Sequence, residues 1–196
     1  MAPELTPELT DVPESWPVTH SEDLYRSEWV MALRRDELHA PGHDATFARL
    51  VLEHPGAVIV LAVDDERRAF CLWQYRHPAR RRFVELPAGL LDTDGEDPRT
   101  TAQRELREEA GLEADDWTQL ATTWSSPGIS TEVMHLFLAR GLHEIDHDFE
   151  RTHEEAEMHG GWVPVDELRE AVLAGAVGDG PLVQTLLLAD AKGLLP

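Results

Sequence analysis

One short stretch of the chain is constrained to be a helix, and it carries three carboxylates near its end. Pro98 suits the first turn of a helix, where its missing N–H costs nothing, and Gly111 suits the C-terminal cap. Between them, Glu105 and Glu109 are four residues apart and Glu108 lies on a neighbouring row. Side chains at this spacing converge on one side of a helix. The sequence therefore predicts a helix that ends in a carboxylate cluster.

The position of this cluster is unfavourable for a helix by itself. Like charges four residues apart repel by roughly 0.2–0.5 kcal/mol, and the C-terminus of a helix favours cations over anions. A divalent cation with oxygen ligands would compensate, and Mg²⁺ or Mn²⁺ suits such ligands better than Zn²⁺. The alternative is a solvated face in an acidic protein. The apolar stripe of Ala102, Leu106 and Ala110, which would dock on a core, favours the metal site.

The same stretch resembles the signature of the Nudix hydrolases: Gly, a short loop, Glu, seven residues, then Arg-Glu-apolar-x-Glu-Glu-x-Gly-apolar. Its fixed positions are filled by Gly89, Glu96, Arg104, Glu105, Leu106, Glu108, Glu109, Gly111 and Leu112. The loop before Glu96 has six residues where the usual signature has five. We expect a bulge at residues 93–95 to absorb the extra residue. The resemblance implies an α+β fold, an α/β/α sandwich with a mixed sheet between helices, that hydrolyses a pyrophosphate linked to another moiety.

Three features outside the signature resemble the ADP-ribose and nucleotide-sugar pyrophosphatase branch of that family. They are Gln74-Tyr75-Arg76 ahead of Glu85-Leu86-Pro87-Ala88, Pro127 sixteen residues after Gly111, and a strand pair before residue 55. In that branch such strands form interlocked dimers. The resemblance implies hydrolysis of ADP-ribose to AMP and ribose 5-phosphate by a homodimer. Two alternatives stay open: another nucleoside diphosphate sugar as substrate, or a non-catalytic domain that senses ADP-ribose.

The resemblance also assigns roles around the metal. Glu105 and Glu109 are the principal metal ligands, Glu108 is a further ligand, and the backbone carbonyl of Ala88 supplies another oxygen. Arg104 supports catalysis by orienting Glu105 or Glu108.

The remaining site residues are expected outside the helix. In this branch a glutamate on a later loop activates the water, and Glu155, then Glu154, is preferred within residues 153–157. Arg76, Glu85 and Pro127 are expected to contact the substrate. Each of these has a plainer interpretation. Residues 153–157 could form an acidic solvated loop, Arg76 could serve only to make a hairpin soluble, and Pro127 could serve only to form its turn.

Composition limits the partners. The chain has 196 residues and a net charge of −21, which disfavours binding to nucleic acid or to an anionic membrane. An anionic substrate must then be met by local positive charge or by metal. The single cysteine, Cys71, lies in an apolar run and is expected in the core, in keeping with a reducing cytoplasm. Neither a signal peptide nor a membrane-spanning run is recognised.

The order of patterns predicts a flexible tail at residues 1–22, strands at residues 23–55 and a folded domain at residues 56–196. The resemblance implies that the strands are an N-terminal strand extension for dimerisation and that the folded domain is a Nudix hydrolase domain. Strands are predicted at residues 27–40, 45–52, 57–63, 69–75, 83–87, 117–124, 133–138 and 161–165. After the signature helix, one helix is predicted to begin at Val165 with Asp166 as its cap, and another to span residues 181–191. Residues 141–159 are predicted to form a polar loop.

Overall fold

The computed structural model describes residues 9–28, 31–42, 45–93, 95–146 and 157–195, and within them the chain forms ten strands and three helices. The strands are β1 (Val18–Arg26), β2 (Ala32–His39), β3 (Thr46–Glu53), β4 (Ala57–Ala62), β5 (Arg68–Arg76), β6 (Arg81–Glu85), β7 (Ala88–Leu90), β8 (Leu112–Trp124), β9 (Val133–Glu144) and β10 (His159–Pro164). The helices are α1 (Pro98–Ala110), α2 (Val165–Leu173) and α3 (Gly180–Ala191).

A four-stranded mixed sheet with the order β7-β4-β9-β8 forms the centre of the fold. Strands β4 and β9 run parallel, and the other neighbours are antiparallel. The sequence of β4 is apolar throughout because both of its faces are covered, as expected for a central strand. This explains why a continuous apolar run, without alternation, was sufficient to predict it.

Helices cover both faces of the central sheet. On one face, Val58 and Val60 of β4 pack with Ala102 and Leu106 of α1 in a buried cluster. On the other face, residues such as Ile59 pack in a second cluster against α2, α3 and β5. This layering confirms the predicted α+β fold with a mixed sheet between helices.

A second sheet, with the order β10-β5-β6, packs beside the first. Cys71 lies on β5 within the core, fully buried, as predicted. Burial raises the pKa of its thiol to about 12, so the thiolate is not formed near neutral pH. Strand β6 leads through Leu86 and Pro87 directly into β7, which brings this sheet up to the carboxylate cluster.

The N-terminal strands β1, β2 and β3 form a separate antiparallel sheet. Three ion pairs cross it: Arg26–Glu53 at 2.6 Å, Arg34–Glu53 at 2.7 Å and Arg35–Glu22 at 3.7 Å. The tail predicted for residues 1–22 is too long, because β1 begins at Val18. Every residue of β1 is exposed, so the strand lacks the apolar alternation by which a strand is recognised.

Two further predictions were wrong in detail. The polar loop at residues 141–159 is too long at both ends, because β9 continues to Glu144 and β10 begins at His159. The end of β9 and the start of β10 are polar, but each extends a ladder: Glu144 pairs with Leu112 of β8, and His159 pairs with Trp73 of β5. Strand β8 likewise starts at Leu112, earlier than predicted.

The predicted cap of α2 was also wrong. Pro164 is the N-cap residue and makes no side-chain capping bond, while Asp166 lies in the first turn and pairs with Arg169 at 2.7 Å. Proline ends β10 and starts the helix without a capping side chain. Among the helices of the described residues, none is long and apolar enough to cross a membrane.

Candidate active site

Helix α1 has the ends that its sequence predicts. The Asp97 side chain accepts a hydrogen bond from the Arg99 N–H at 3.1 Å, and Pro98 occupies the first turn. Gly111 adopts a left-handed conformation with φ of 65° and caps the other end. Leu106 is fully buried on the core side, and the neighbouring Glu105 and Glu109 point toward β7.

Glu105 and Glu109 both reach strand β7. The Glu109 carboxylate accepts a hydrogen bond from the Ala88 N–H at 2.8 Å. The Glu105 side chain lies so close to Gly89 that a Cβ on that glycine would overlap the carboxylate. Glycine is therefore required at position 89 because the carboxylate occupies the space of a side chain. The structure brings Glu105, Glu109 and the Ala88 backbone together.

Arg104 lies among the carboxylates. Its guanidinium donates to Glu105 Oε1 at 2.7 Å and lies 3.5 Å from Glu108 and 3.5 Å from Glu96. Glu96 also accepts a hydrogen bond from the Thr101 hydroxyl at 2.8 Å. The extra residue in the preceding loop therefore leaves Glu96 beside the cluster. Gly95 has a φ of 76°, so the loop turns at a residue that tolerates this conformation.

The buried carboxylate of Glu105 is under electrostatic strain. Burial raises its pKa to about 7, the positive charge of Arg104 opposes this shift, and the negative charge of Glu108 adds to it. A cation at this point would relieve the burial of negative charge. Carboxylates and a backbone carbonyl are oxygen donors of the kind that Mg²⁺ and Mn²⁺ prefer, so the residues fit such an ion.

The carboxylates are not already arranged around a common empty point. In the described part of the chain, no group of three or more His, Cys, Asp or Glu side chains has the geometry of a metal site. Arg104 holds Glu105 and Glu108 instead. Binding an ion would thus require these carboxylates to be rearranged around it.

Arg76 and Glu85, both expected to contact substrate, contact each other. The guanidinium of Arg76 donates two short hydrogen bonds to the Glu85 carboxylate, at 2.9 Å from Nε and 2.6 Å from Nη2. The Glu85 side chain is only 7% exposed, whereas that of Arg76 is 46% exposed. These bonds raise the pKa of Arg76 above its usual range. The arginine therefore compensates a buried charge and still presents part of its side chain to solvent.

Asp179 joins this pair, and sequence reasoning missed it. It is the N-cap of α3, and its side chain accepts a hydrogen bond from the Leu182 N–H at 2.9 Å. Burial raises the pKa of Asp179 to about 6. The hydrogen bond from the Leu182 N–H lowers this pKa, the negative charge of Glu85 raises it, and the positive charge of Arg76 lowers it. The Asp-Gly-Pro sequence is a recognisable start of a helix. Its proximity to Arg76 depends on the tertiary fold.

Of the other predicted residues, the structure describes only Pro127. Pro127 is exposed in a turn between β8 and β9, closed by the Ile129 N–H to the Ser126 carbonyl at 3.0 Å. Glu154 and Glu155 fall outside the described residues. Just after them, the Glu157 carbonyl accepts a hydrogen bond from Arg82 at 3.0 Å. The roles of Pro127, Glu154 and Glu155 stay predictions.

Comparison with known proteins gives consistent matches. A family model described as NUDIX domain matches residues 53–186. An ADP-ribose pyrophosphatase of Mycobacterium tuberculosis is 42% identical over 173 residues, which cover 88% of this chain and 83% of that protein. An ADP-ribose pyrophosphatase of Bacillus subtilis is 40% identical over 64% of this chain and 67% of its own length.

A solved structure shows the same fold. The crystal structure of an ADP compounds hydrolase matches with a TM-score of 0.75 at 17% identity, over 95% of this chain and 100% of that chain. The family model covers more than half of the chain, and it includes both the carboxylate helix and β7. The chain belongs to the Nudix family.

Proposed function

We propose that this protein hydrolyses the pyrophosphate bond of ADP-ribose to give AMP and ribose 5-phosphate. The convergence of Glu105 and Glu109 on β7, with Gly89 making room, carries the proposal for the reaction. The similarity to the mycobacterial ADP-ribose pyrophosphatase, over 88% of this chain, supports the choice of substrate. The net charge of −21 makes a positive centre necessary for any diphosphate to bind.

In this proposal the ion is Mg²⁺ or Mn²⁺, held by Glu105, Glu109, Glu108 and the Ala88 carbonyl. A bound ion would neutralise diphosphate charge and stabilise the departing phosphate. Arg104 already holds Glu105 at 2.7 Å and would keep that side chain directed at the site. The carboxylates fix the position at which the substrate phosphorus meets water.

Arg76 and Glu85 form the neighbouring wall of the proposed substrate site. The part of Arg76 that is open to solvent carries positive charge toward a diphosphate, while Glu85 fixes its direction through two hydrogen bonds. Pro127 is proposed to contact the substrate from the loop between β8 and β9. A cytoplasmic location belongs to the same proposal and rests on the single buried cysteine.

The attacking water needs a base, and we assign it to Glu155, with Glu154 as the alternative. A carboxylate that accepts the proton of water contributes to the rate without holding the metal. Glu155→Gln is therefore expected to lower kcat while the affinity for Mn²⁺ stays near that of the wild type. Full activity of this variant, with a loss of activity in Glu154→Gln, would move the base to Glu154.

The N-terminal sheet is proposed to join two copies of the chain in a homodimer. Apolar side chains lie exposed on its strands, among them Leu24, Tyr25 and Leu50. An exposed group of this kind is typical of a surface that a partner covers. The proposal predicts that sedimentation of the protein in solution gives the mass of a dimer.

Turnover with Mg²⁺ across a small panel tests the proposed substrate. The panel contains ADP-ribose, ADP-glucose, GDP-mannose, NADH and 8-oxo-dGTP, with product identified by chromatography. We expect the highest kcat/KM for ADP-ribose, with AMP as product. A preference for another nucleotide sugar would keep the reaction and reassign the substrate pocket. Tight binding of ADP-ribose without turnover would indicate a sensor.

A further inference from the structure

The segment between β8 and β9 is attached to the N-terminal sheet as well as to its own strands. The Leu52 N–H of β3 donates to the Ile129 carbonyl at 2.7 Å, and the Thr131 N–H donates to the Leu52 carbonyl at 3.0 Å. Leu52 and Ser130 thereby form a parallel bridge. Residues 129–131 thus extend the N-terminal sheet beyond β3, although they belong in sequence to the central sheet.

Thr131 strengthens this attachment through its hydroxyl group. Its Oγ1 accepts a hydrogen bond from the His54 N–H at 2.9 Å and donates one to the His54 carbonyl at 3.2 Å. One side chain therefore satisfies both backbone groups of the residue that follows β3. A valine at this position would have nearly the same shape and could make neither bond.

The His54 ring contacts the same segment at a second point. Its Nδ1 accepts a hydrogen bond from the Gly56 N–H at 3.1 Å, so the neutral ring carries its proton on Nε2. Nε2 lies 3.7 Å from the Glu132 carboxylate, which accepts a hydrogen bond from the Ser125 hydroxyl. The two ends of the turn that contains Pro127 are therefore joined through Glu132 and held beside His54.

This attachment lies at the end of the sheet next to the carboxylate site. Ala57 of β4 pairs with Leu90 of β7 on one side and with Met134 of β9 on the other. Strand β7 is the strand against which Glu105 and Glu109 pack. The segment at residues 125–132 enters β9 at this same end. Its placement is consequently fixed relative to β7 through His54 and the start of β4.

We propose that Thr131 and His54 are positioning residues that hold the turn at residues 126–129 where it contacts the nucleotide sugar. The inference rests on the proposed function, because it requires that Pro127 and its neighbours meet the substrate. The two residues act through the loop and do not touch the reacting phosphate. Their loss should weaken substrate binding and leave the metal-dependent step nearly unchanged.

Thr131→Val tests this directly, with Thr131→Ser as the variant that keeps the hydroxyl. Losing these hydrogen bonds should raise KM for ADP-ribose about three- to tenfold, with kcat within about twofold of the wild type. Thr131→Ser should restore KM. Thr118→Val, at an exposed position of β8 opposite Leu138, is the matched control and should leave KM unchanged.

Amide hydrogen exchange on the protein without substrate supplies a second measurement. The Leu52 and Thr131 amides should exchange at least threefold faster in Thr131→Val, and the amides of α1 should not change. Unchanged KM and unchanged exchange in Thr131→Val would overturn the inference, as would a fall in kcat with no change in KM. If the wild type prefers another nucleotide sugar, the substrate proposal fails. The effect of Thr131→Val on KM for that sugar then tests whether Thr131 and His54 position the turn.

Discussion

Glu105→Gln is expected to lower kcat/KM for ADP-ribose by at least about a thousandfold, because the site would lose its divalent ion and the several kcal/mol that the ion supplies. Glu105 is buried against Gly89, where its carboxylate occupies the space that a side chain on that residue would need. The neutral amide oxygen of glutamine binds Mg²⁺ much more weakly than a charged carboxylate does. Steady-state turnover at saturating Mg²⁺, together with titration of Mn²⁺ binding, measures both losses.

The same substitution should leave the metal-free protein as stable as the wild type, or more stable. Burial raises the pKa of Glu105 from its ordinary 4.5 to about 7, so the folded protein holds a proton there more tightly than the unfolded chain. Stability contributed by this group is present below pH 4.5 and is lost as pH rises to about 7. At pH 8 the ionised carboxylate costs at most on the order of 3 kcal/mol, which glutamine avoids.

Thermal unfolding in EDTA at pH 5 and pH 8 measures this difference. The melting temperatures of wild type and Glu105→Gln should be similar at pH 5 and should separate at pH 8, with the variant higher. Adding Mn²⁺ at pH 8 should stabilise the wild type alone. Glu113→Gln, at an exposed residue that pairs with Arg107 at 3.0 Å, is the control and should behave as the wild type. If Glu105→Gln in EDTA at pH 8 melts at a lower temperature than the wild type, the ionised Glu105 carboxylate does not destabilise the metal-free protein.

Elements defined by local signals were predictable from the sequence. The bounds of α1 follow from Pro98 and Gly111, because a missing N–H and a left-handed φ are tolerated at opposite ends of a helix. Strand β4 follows from its apolar run, since both of its faces are buried. In both cases the signal lies within the residues of the element itself.

Strand β1 was missed because its signal is not local. Its residues are all exposed, and the strand exists through its backbone ladder with β2 and through ion pairs such as Arg26–Glu53. Neither partner is visible in the sequence of β1 itself. The attachment of residues 129–131 to β3 was unpredictable for the same reason, because its partners are distant in sequence.

The candidate site shows the same division. The Glu105, Glu108 and Glu109 cluster was predictable, since helical spacing alone places the three residues. The pairing of Arg76 with Glu85 was not, because it depends on how β5 and β6 align and on the burial of one partner. Asp179 enters through α3, more than ninety positions after Glu85, so only the tertiary fold brings it near Arg76.

The pairing of Arg76 with Glu85 predicts a large loss of stability when the arginine is removed. Arg76→Met leaves the Glu85 carboxylate, 7% exposed, without its partner. Breaking a fully buried pair costs about 3–5 kcal/mol, but the Arg76 side chain is half exposed, so we expect about 2–3 kcal/mol. For a chain of this size the melting temperature should fall by roughly 5–10 °C. Arg81→Met, at the exposed residue opposite Arg76 on β6, is the control and should change it little.

A second substitution separates the structural role of Arg76 from its proposed role in binding. Arg76→Met combined with Glu85→Gln removes both charges, so the double variant should regain at least half of the lost stability. If Arg76 contacts the diphosphate, KM for ADP-ribose stays raised at least about tenfold in this restored protein. Full recovery of KM would show that Arg76 serves only to neutralise Glu85.

The pH dependence of the Arg76→Met defect identifies Asp179 as the third member of the group. Burial raises the pKa of Asp179 to about 6, and the positive charge of Arg76 is one of the interactions that limit this rise. Below that pH Asp179 is largely protonated and gains little from the arginine. Above it the ionised carboxylate loses a favourable partner in the variant. The difference in unfolding free energy between wild type and Arg76→Met should therefore be larger at pH 8 than at pH 5. Replacing Asp179 by Asn, which retains the cap of α3, should remove that part of the pH dependence.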